Sequence, residues 1–421
     1  MSRRLYTWVL LPLLVGLGHV LTLFKASLRR AFYGRYATIK KVRRFVKQNT
    51  GNTAPRVWIH AASMGEFEHV KPLIRRLHQR YQARIIVSFF SPSGYNHVRA
   101  FTGVGLFVYL PFDFPFIWKK IFQLFQPAML LISKHDVWPN QIHMARKAGI
   151  YCALVNASLS HASSRTSFWV RSLLSPAYRS LDDVFAISPD DALRLQQDFG
   201  RKNVTVVGDT KFDQVLLRQE EARHKNLIDP SWHENARVLI YGSIWPQDAR
   251  HVLAHLKQHL TEFPDLNVII APHDITDTNL KTLLSYLEDI PYRLYTDGVA
   301  RVHKRVIIIN TIGLLADMYK YGDIAYVGGS FKQGIHNVME PAIYGLPVLF
   351  GPRHTNSFEA QSLLEHKGAL LVQDAADFDQ ALRHLLQNAD FTQQTGEQAR
   401  IFAHERCGAT AKIMTRLSTI L

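Results

Sequence analysis

Residues 56–81 read "RVWIHAASMGEFEHVKPLIRRLHQRY", and the fold class turns on them. Val57, Trp58 and Ile59 are apolar without alternation, the pattern of a strand covered on both faces. A short glycine-containing turn, "HAASMGE", follows. From Glu66 to Tyr81 apolar residues recur at helical spacing. Strand, loop and helix therefore succeed one another within a single stretch.

Working outward, the same unit repeats. Strand candidates in the first half are "RVWIH", "ARIIVSF", "GLFVYL", "AMLLIS", "YCALVN", "DVFAIS" and "NVTVVG". In the second half they are "ARVLIY", "LNVIIA", "RVIIIN", "IAYVGG", "PVLFG" and "ALLVQ". Several are apolar throughout, and amphipathic segments separate them. This predicts α/β architecture with parallel sheets, split into two doubly wound domains. A chain of 421 residues suits two cores better than one. The boundary is expected at residues 208–235, where "RQEEARHKNLIDPSWHEN" is polar and charged. The predicted organisation is 1–50 as an anchor with its basic flank, 51–215 as the first domain and 216–421 as the second. The segment "RIFAHERCGATAKIMTRLSTIL" reads as a terminal helix.

The hydrophobic fraction of 47% and charged fraction of 20% fit a globular protein and exclude a disordered one. Two cysteines, Cys152 and Cys407, build neither a disulfide framework nor a cysteine metal site, which fits a reducing compartment. The formal charge of +16 calls for an acidic partner. Its distribution is uneven. No acidic residue precedes Glu66, whereas Lys25, Arg29, Arg30, Arg35, Lys40, Lys41, Arg43, Arg44 and Lys47 follow the apolar stretch "LYTWVLLPLLVGLGHVLTLF" (5–24). That stretch has the length of a spanning helix, weakened by Pro12, Gly16, Gly18 and His19. "KASLRRAF" after it is basic and offers no small-residue cleavage site, and the apolar core is too uniform for a transit peptide. A membrane anchor or re-entrant interfacial helix is expected, its basic flank on an anionic leaflet; the alternative is a helix buried against the protein's own domain.

Ligands of such sheets sit at the carboxyl ends of the strands. The loops there are rich in Gly, Ser, Asn, His and Pro, which suggests a cleft between two domains. In "GGSFKQGIHNVMEP" (328–341), Asn337 fits a helix N-cap, and Glu340 stands at capping-box spacing from it. "NTIGLL" (310–315) and "GPRHTNSFEA" (351–360) repeat the strand-to-helix logic, with Arg353 and His354 available for an anion. Neither a P-loop nor a G-x-G-x-x-G fingerprint is present, which leaves a nucleotide held as a phosphate leaving group. Ser63 fits a helix N-cap with Glu66 at capping-box spacing; beside Gly65, Glu66 also fits a general base, and composition alone favours the cap. Scattered histidines give no metal-ligand spacing, and no nucleic-acid motif accompanies the basic run.

Taken in order, His60 to Glu66 ("HAASMGE"), "WPN" (138–140), "NASLSHAS" (156–163), "GDTKFD" (208–213), "VGGSFKQGIHNVMEP" (327–341) and "GPRHTN" (351–356) resemble the bacterial 3-deoxy-D-manno-octulosonic acid (Kdo) transferases. The resemblance runs from about Ala54 to the C-terminus. It implies a glycosyltransferase-B fold, two Rossmann-like domains facing a cleft, and a membrane-associated enzyme on the cytoplasmic side of the inner membrane. It implies transfer of Kdo from CMP-Kdo to a lipid A precursor, with no metal or other cofactor. By resemblance Glu66 is the general base and Lys211 stabilises the transition state. CMP is then expected on Pro272 and His273, on Ile312, Gly313 and Leu314, and on Asn337, Val338, Met339 and Glu340. The chain departs from the common "E-x-E-x-WPN", with Lys134 and Asp136 at the two Glu positions. Ser158 stands for the Arg of "NARLS". His273 stands for an Arg, which makes phosphate binding depend on histidine protonation. Two other readings remain open: a membrane-associated glycosyltransferase using a UDP-sugar, and a non-catalytic relative.

Overall fold

The computed structural model describes residues 2–24, 26–98, 100–160, 163–298 and 304–421. Lys25 of the basic flank, and His161 and Ala162 of the "NASLSHAS" motif, lie outside the described residues. The chain divides into two compact units, residues 1–214 with 407–421, and residues 215–406.

Each unit is built on a seven-stranded sheet, and every recorded strand pair is parallel. In the first, β1 (Arg56–Ala61), β2 (Arg84–Phe89), β3 (Val104–Tyr109), β4 (Met129–Ser133), β5 (Tyr151–Ala157), β6 (Asp183–Ala186) and β7 (Thr205–Val206) lie in the order β3-β2-β1-β4-β5-β6-β7. Strand order reverses between β1 and β4, whose register pairs His60 with Ile132. In the second, β8 (Arg237–Ile244), β9 (Leu266–Pro272), β10 (Tyr292–Leu294), β11 (Val306–Ile308), β12 (Ile324–Val327), β13 (Val348–Phe350) and β14 (Ala369–Leu371) run β10-β11-β9-β8-β12-β13-β14. Its reversal lies between β8 and β12. Such reversals open crevices at the carboxyl ends of the strands.

The unalternating apolar runs are explained by burial on both faces. Alternate residues of one strand point to opposite sides. Val57 and Ile59 join one core cluster, and Trp58 joins the cluster on the other face. Val238 and Ile240 oppose Leu239 and Tyr241 in the same way. These are the two doubly wound domains that the sequence predicts. Strand β10 was not among the expected strands: "YRL" is short, and its central Arg293 is buried with its guanidinium on the Gly298 carbonyl at 2.6 Å.

The division between units falls after residue 214, inside the helix Thr210–Ala222 and within the expected span 208–235. One assignment differs from the expected one: the last fifteen residues, 407–421, belong to the first unit, not to 216–421. Asp213 explains this difference. Its carboxylate accepts the Gly408 and Thr410 backbone N–H groups at 2.5 and 2.6 Å, at the start of the helix Ala409–Leu417. Ile413, Met414 and Leu417 then bury against the helix-facing side of β1, β2 and β4. Asp213 of the "KFD" motif is therefore a structural carboxylate. Asp213→Ala leaves those amides unpaired, at a cost of about 1–3 kcal/mol. Amide hydrogen exchange at residues 409–417 is expected to accelerate selectively.

Candidate active site

Both lobes place their chemistry where strand order reverses. In the first unit, β1 delivers His60 and then the start of the helix Met64–Tyr81. Ser63 caps that helix, accepting the Glu66 N–H at 3.4 Å. The Glu66 carboxylate turns back and accepts the Ala62 N–H on Oε2 at 2.7 Å. The expected capping box is thus shifted by one residue, because the carboxylate reaches Ala62 rather than Ser63. Among the described residues, no hydrogen bond is made to Oε1. Glu66 is buried, and desolvation pushes its pKa above the ordinary carboxylate range. The Ala62 amide, His60 and Lys134 oppose that rise, and Asp136 adds to it.

Across the reversal, β4 ends and the chain turns sharply at Lys134, whose φ of +60° is rare for a side chain with a Cβ. Its N–H is held on the Val155 carbonyl at 2.8 Å. Asp136 is clamped from three sides. It accepts from His60 Nε2 at 2.8 Å, Trp138 Nε1 at 3.1 Å and Arg165 Nη2 at 3.3 Å. Burial alone would raise its pKa, but the His60 hydrogen bond and charge, with Trp138 and Arg165, hold it at about 2. His60 is fully buried and its Nδ1 lies 3.1 Å from the Ser88 carbonyl. Asp136 is thus bound up in the protein's own hydrogen bonds.

Lys211 opens the helix Thr210–Ala222. Asn156, with φ of +53°, accepts the Thr210 N–H at 3.1 Å, so the "NASLS" and "GDTKFD" motifs meet there. The Lys211 ammonium lies 3.9 Å from Asp209 Oδ2, and Asp209 Oδ1 lies 3.4 Å from His69 Nδ1. Burial lowers the His69 pKa to about 4, aided by Lys134 and Lys211 and opposed by Asp209. His69 stands one helical turn beyond Glu66, so Glu66, Lys134 and Lys211 share one neighbourhood.

In the second unit, Asp248 is the organising group. It accepts from the Trp245 and Gly329 N–H groups, both at 2.8 Å, and from the Tyr326 hydroxyl at 3.0 Å. The ends of β8 and β12 are thereby tied across the second reversal. A Cβ on Gly328 would meet the Ser243 carbonyl oxygen at 2.3 Å, so only glycine permits this approach. Three rings then stack in sequence. Trp245 lies 4.5 Å from His273, and His273 lies 4.2 Å from His336 at 9° between planes. Burial lowers the pKa of both histidines, His336 to about 4 with His273 assisting. Burial thus favours the uncharged form of both imidazoles in this stack.

The remaining donor-loop residues group at the carboxyl ends of the same sheet. Pro272 closes β9, and Ile312, Gly313 and Leu314 follow β11, with Gly313 at φ +93° and Ile312 exposed. Asn337 does not cap as expected. The helix is Met339–Ile343, and Val338 occupies its N-cap position. Asn337 Oδ1 instead accepts the Met339 N–H at 3.1 Å, and Glu340 pairs with Arg218 at 3.1 Å. Arg353 donates to the Lys332 carbonyl at 2.7 Å. Trp245, Asp248, His60 and His336 were not singled out from sequence.

The two units have the glycosyltransferase-B fold. UDP-N-acetylglucosamine 2-epimerases share the fold: that of Neisseria meningitidis aligns with TM-score 0.59 at 12% identity over 86% of this chain and all of its own. The Methanocaldococcus jannaschii enzyme gives 0.53 at 15% over 83% and 99%. A family model described as 3-Deoxy-D-manno-octulosonic-acid transferase (kdotransferase) matches residues 32–214. Curated 3-deoxy-D-manno-octulosonic acid transferases match further. That of Chlamydophila psittaci is 27% identical over 94% of this chain and 92% of its own length. The Bordetella pertussis protein is 28% identical, covering 86% of each. Over most of its length the chain is thus similar to the Kdo transferases, a family of glycosyltransferases.

Asp136 supplies a test of this geometry. Its pKa is depressed when folded, so its contribution is present above the ordinary carboxylate pKa and lost as pH falls from about 4 to 2. A shift of this size corresponds to roughly 2 kcal/mol. Denaturant unfolding of the wild type should lose that increment between pH 5 and pH 2, and Asp136→Asn should show a flatter profile.

Proposed function

We propose that this chain transfers Kdo from CMP-Kdo to a hydroxyl of a lipid A precursor, with inversion, at the cytoplasmic face of the inner membrane. The observation that carries the proposal is Glu66: a buried carboxylate at the β1–β4 reversal, with one oxygen fixed by Ala62 and the other facing no protein donor among the described residues. A carboxyl with a raised pKa is suited to accept a proton near neutral pH.

In the reaction, the acceptor hydroxyl oxygen forms a bond to the anomeric carbon of Kdo. Its proton passes to Glu66 Oε1. The bond from that carbon to the phosphate oxygen breaks, and CMP leaves with the electron pair. Lys211 offsets the charge that grows on the leaving phosphate, fixed by Asp209 and the Asn156–Thr210 contact. Lys134 brings a cation to the position where the common pattern has a carboxylate, and it opposes the rise in the Glu66 pKa. The second unit takes the nucleotide on Pro272, His273, Ile312 to Leu314 and Asn337 to Glu340. The neutral Trp245–His273–His336 stack offers ring faces rather than charge, which suits a pyrimidine base. The apolar helix and basic flank hold the enzyme beside its lipid acceptor.

Purified protein with CMP-Kdo generated in situ and a tetra-acylated lipid A precursor should yield lipid heavier by one or more Kdo masses. Glu66→Gln should reduce the rate about 10²–10⁴-fold while the protein remains folded. Transfer by Glu66→Gln at the wild-type rate would remove Glu66 from this role. The acid limb of kcat/KM should lie above the ordinary carboxylate range, since base catalysis needs ionised Glu66. Lys134→Glu should move that limb to higher pH.

Calorimetric titration should show CMP binding in preference to UDP. Trp245→Ala should weaken CMP binding about tenfold or more, consistent with the loss of one stacking partner.

A further inference from the structure

The apolar helix runs Arg3–Thr22, with a π-helical turn over Tyr6–Leu10. Twenty residues at 1.5 Å each span about 30 Å, enough to cross a bilayer. Its contacts forbid that crossing. Near its N-terminal end, Arg3 Nη1 donates to Asn140 Oδ1 at 3.1 Å, Thr7 Oγ1 lies 3.0 Å from the same atom, and the Tyr6 hydroxyl donates to Asp113 Oδ2 at 3.1 Å. Asp113 is buried and also accepts from Trp118 Nε1 and the Asn140 and Gln141 N–H groups at 2.8–2.9 Å. Asn140 is the last residue of "WPN". Midway, Tyr6 and Leu11 pack with Leu173, and Leu10, Val15 and Phe114 close around them. Towards the other end, His19 Nε2 bonds the Tyr36 hydroxyl at 2.8 Å. Phe32 and Tyr36 in turn pack on Phe112. Both ends are thus fastened to one folded unit, around residues 110–116. A spanning helix would put them on opposite sides of the membrane.

We propose that this helix is monotopic: it lies along the first unit and, with aromatic side chains of that unit, forms a face that enters one leaflet of an anionic membrane. The outward side chains are Trp8, Val9, Leu13, Leu14, Leu17 and Leu21. The face continues onto the unit itself. Phe168 and Trp169 stand 67% and 68% exposed at the head of the helix that carries Leu173, and Phe116 stacks on Phe114 at 5.3 Å. Lys119 and Lys120 lie exposed next to Phe116, and no acidic residue occurs before Glu66. Apolar and aromatic side chains bordered by cations match acyl chains beneath anionic headgroups. This deepens the membrane role proposed above, and its test needs no sugar donor.

Ser2→Cys would be probed in spheroplasts with a membrane-impermeant maleimide, with Asp390→Cys on the second unit as reference. Neither is expected to label until the membrane is opened, after which both do. Labelling of Ser2→Cys alone from outside would overturn the proposal in favour of a spanning helix. For the wider face, full-length protein would be sedimented with vesicles of phosphatidylglycerol and phosphatidylcholine, or of phosphatidylcholine alone. Phe168→Ser with Trp169→Ser, both at exposed positions, is expected to weaken binding to the anionic vesicles about tenfold or more, with an unchanged circular dichroism spectrum. Unchanged binding would confine the face to the helix and overturn its extension. Equal wild-type binding to both vesicle types would overturn the anionic preference.

Discussion

Parallel strand pairing is the constraint from which the rest follows. Every strand of a parallel sheet must leave at the same edge, so the fourteen described strands deliver their loops to two edges only. The reversal of order then parts neighbouring loops at one point in each sheet. In the first unit the parted loops carry Glu66 and Lys134. In the second they carry Trp245 and Gly328. Sites separated by dozens of residues in the chain become neighbours because topology leaves few other places for them.

Buried and half-buried carboxylates hold those loops. Asp113, Asp136 and Asp248 each accept hydrogen bonds from groups on more than one segment, and Asp213 accepts two backbone N–H groups of the 408–410 turn. Charge-assisted bonds of this kind are stronger than neutral ones and orient what they hold. The environments differ. Burial raises Asp113 to about 7 against its four donors, whereas His60 and its neighbours keep Asp136 at about 2. One residue type thus serves as an interior acceptor in one place and as a fixed anion in another. Glu66 differs from all four: among the described residues, its second oxygen accepts no hydrogen bond.

The sequence made the sheets legible because a strand buried on both faces cannot hide its composition. Ser63 as a helix cap was equally legible, since capping is local. What was not legible depended on distance in the chain. Asp248 gains its role from Gly329, eighty-one residues on. The terminal helix reads as a helix, yet only Asp213 shows which unit it joins. Asn337 illustrates the opposite failure: its spacing from Glu340 matched a local motif, and the ion pair to Arg218 competed for the carboxylate. Strand β10 escaped because a buried arginine at its centre breaks the apolar signature.

The π-helical turn at Tyr6–Leu10 has a consequence for how the N-terminal helix is keyed. A π turn holds one residue more than an α turn, and often marks a functional position. Tyr6 and Thr7, which fasten the helix to Asp113 and Asn140, lie within it. Each α-helical residue advances the direction of the side chains by about 100°. Deleting a single residue from this turn would leave the fastening in place and swing every later side chain around the axis. Leu13, Leu17 and Leu21 would face elsewhere, and His19 would leave Tyr36. The length of this one turn sets the angular phase between the socket at one end of the helix and the oily stripe along the rest.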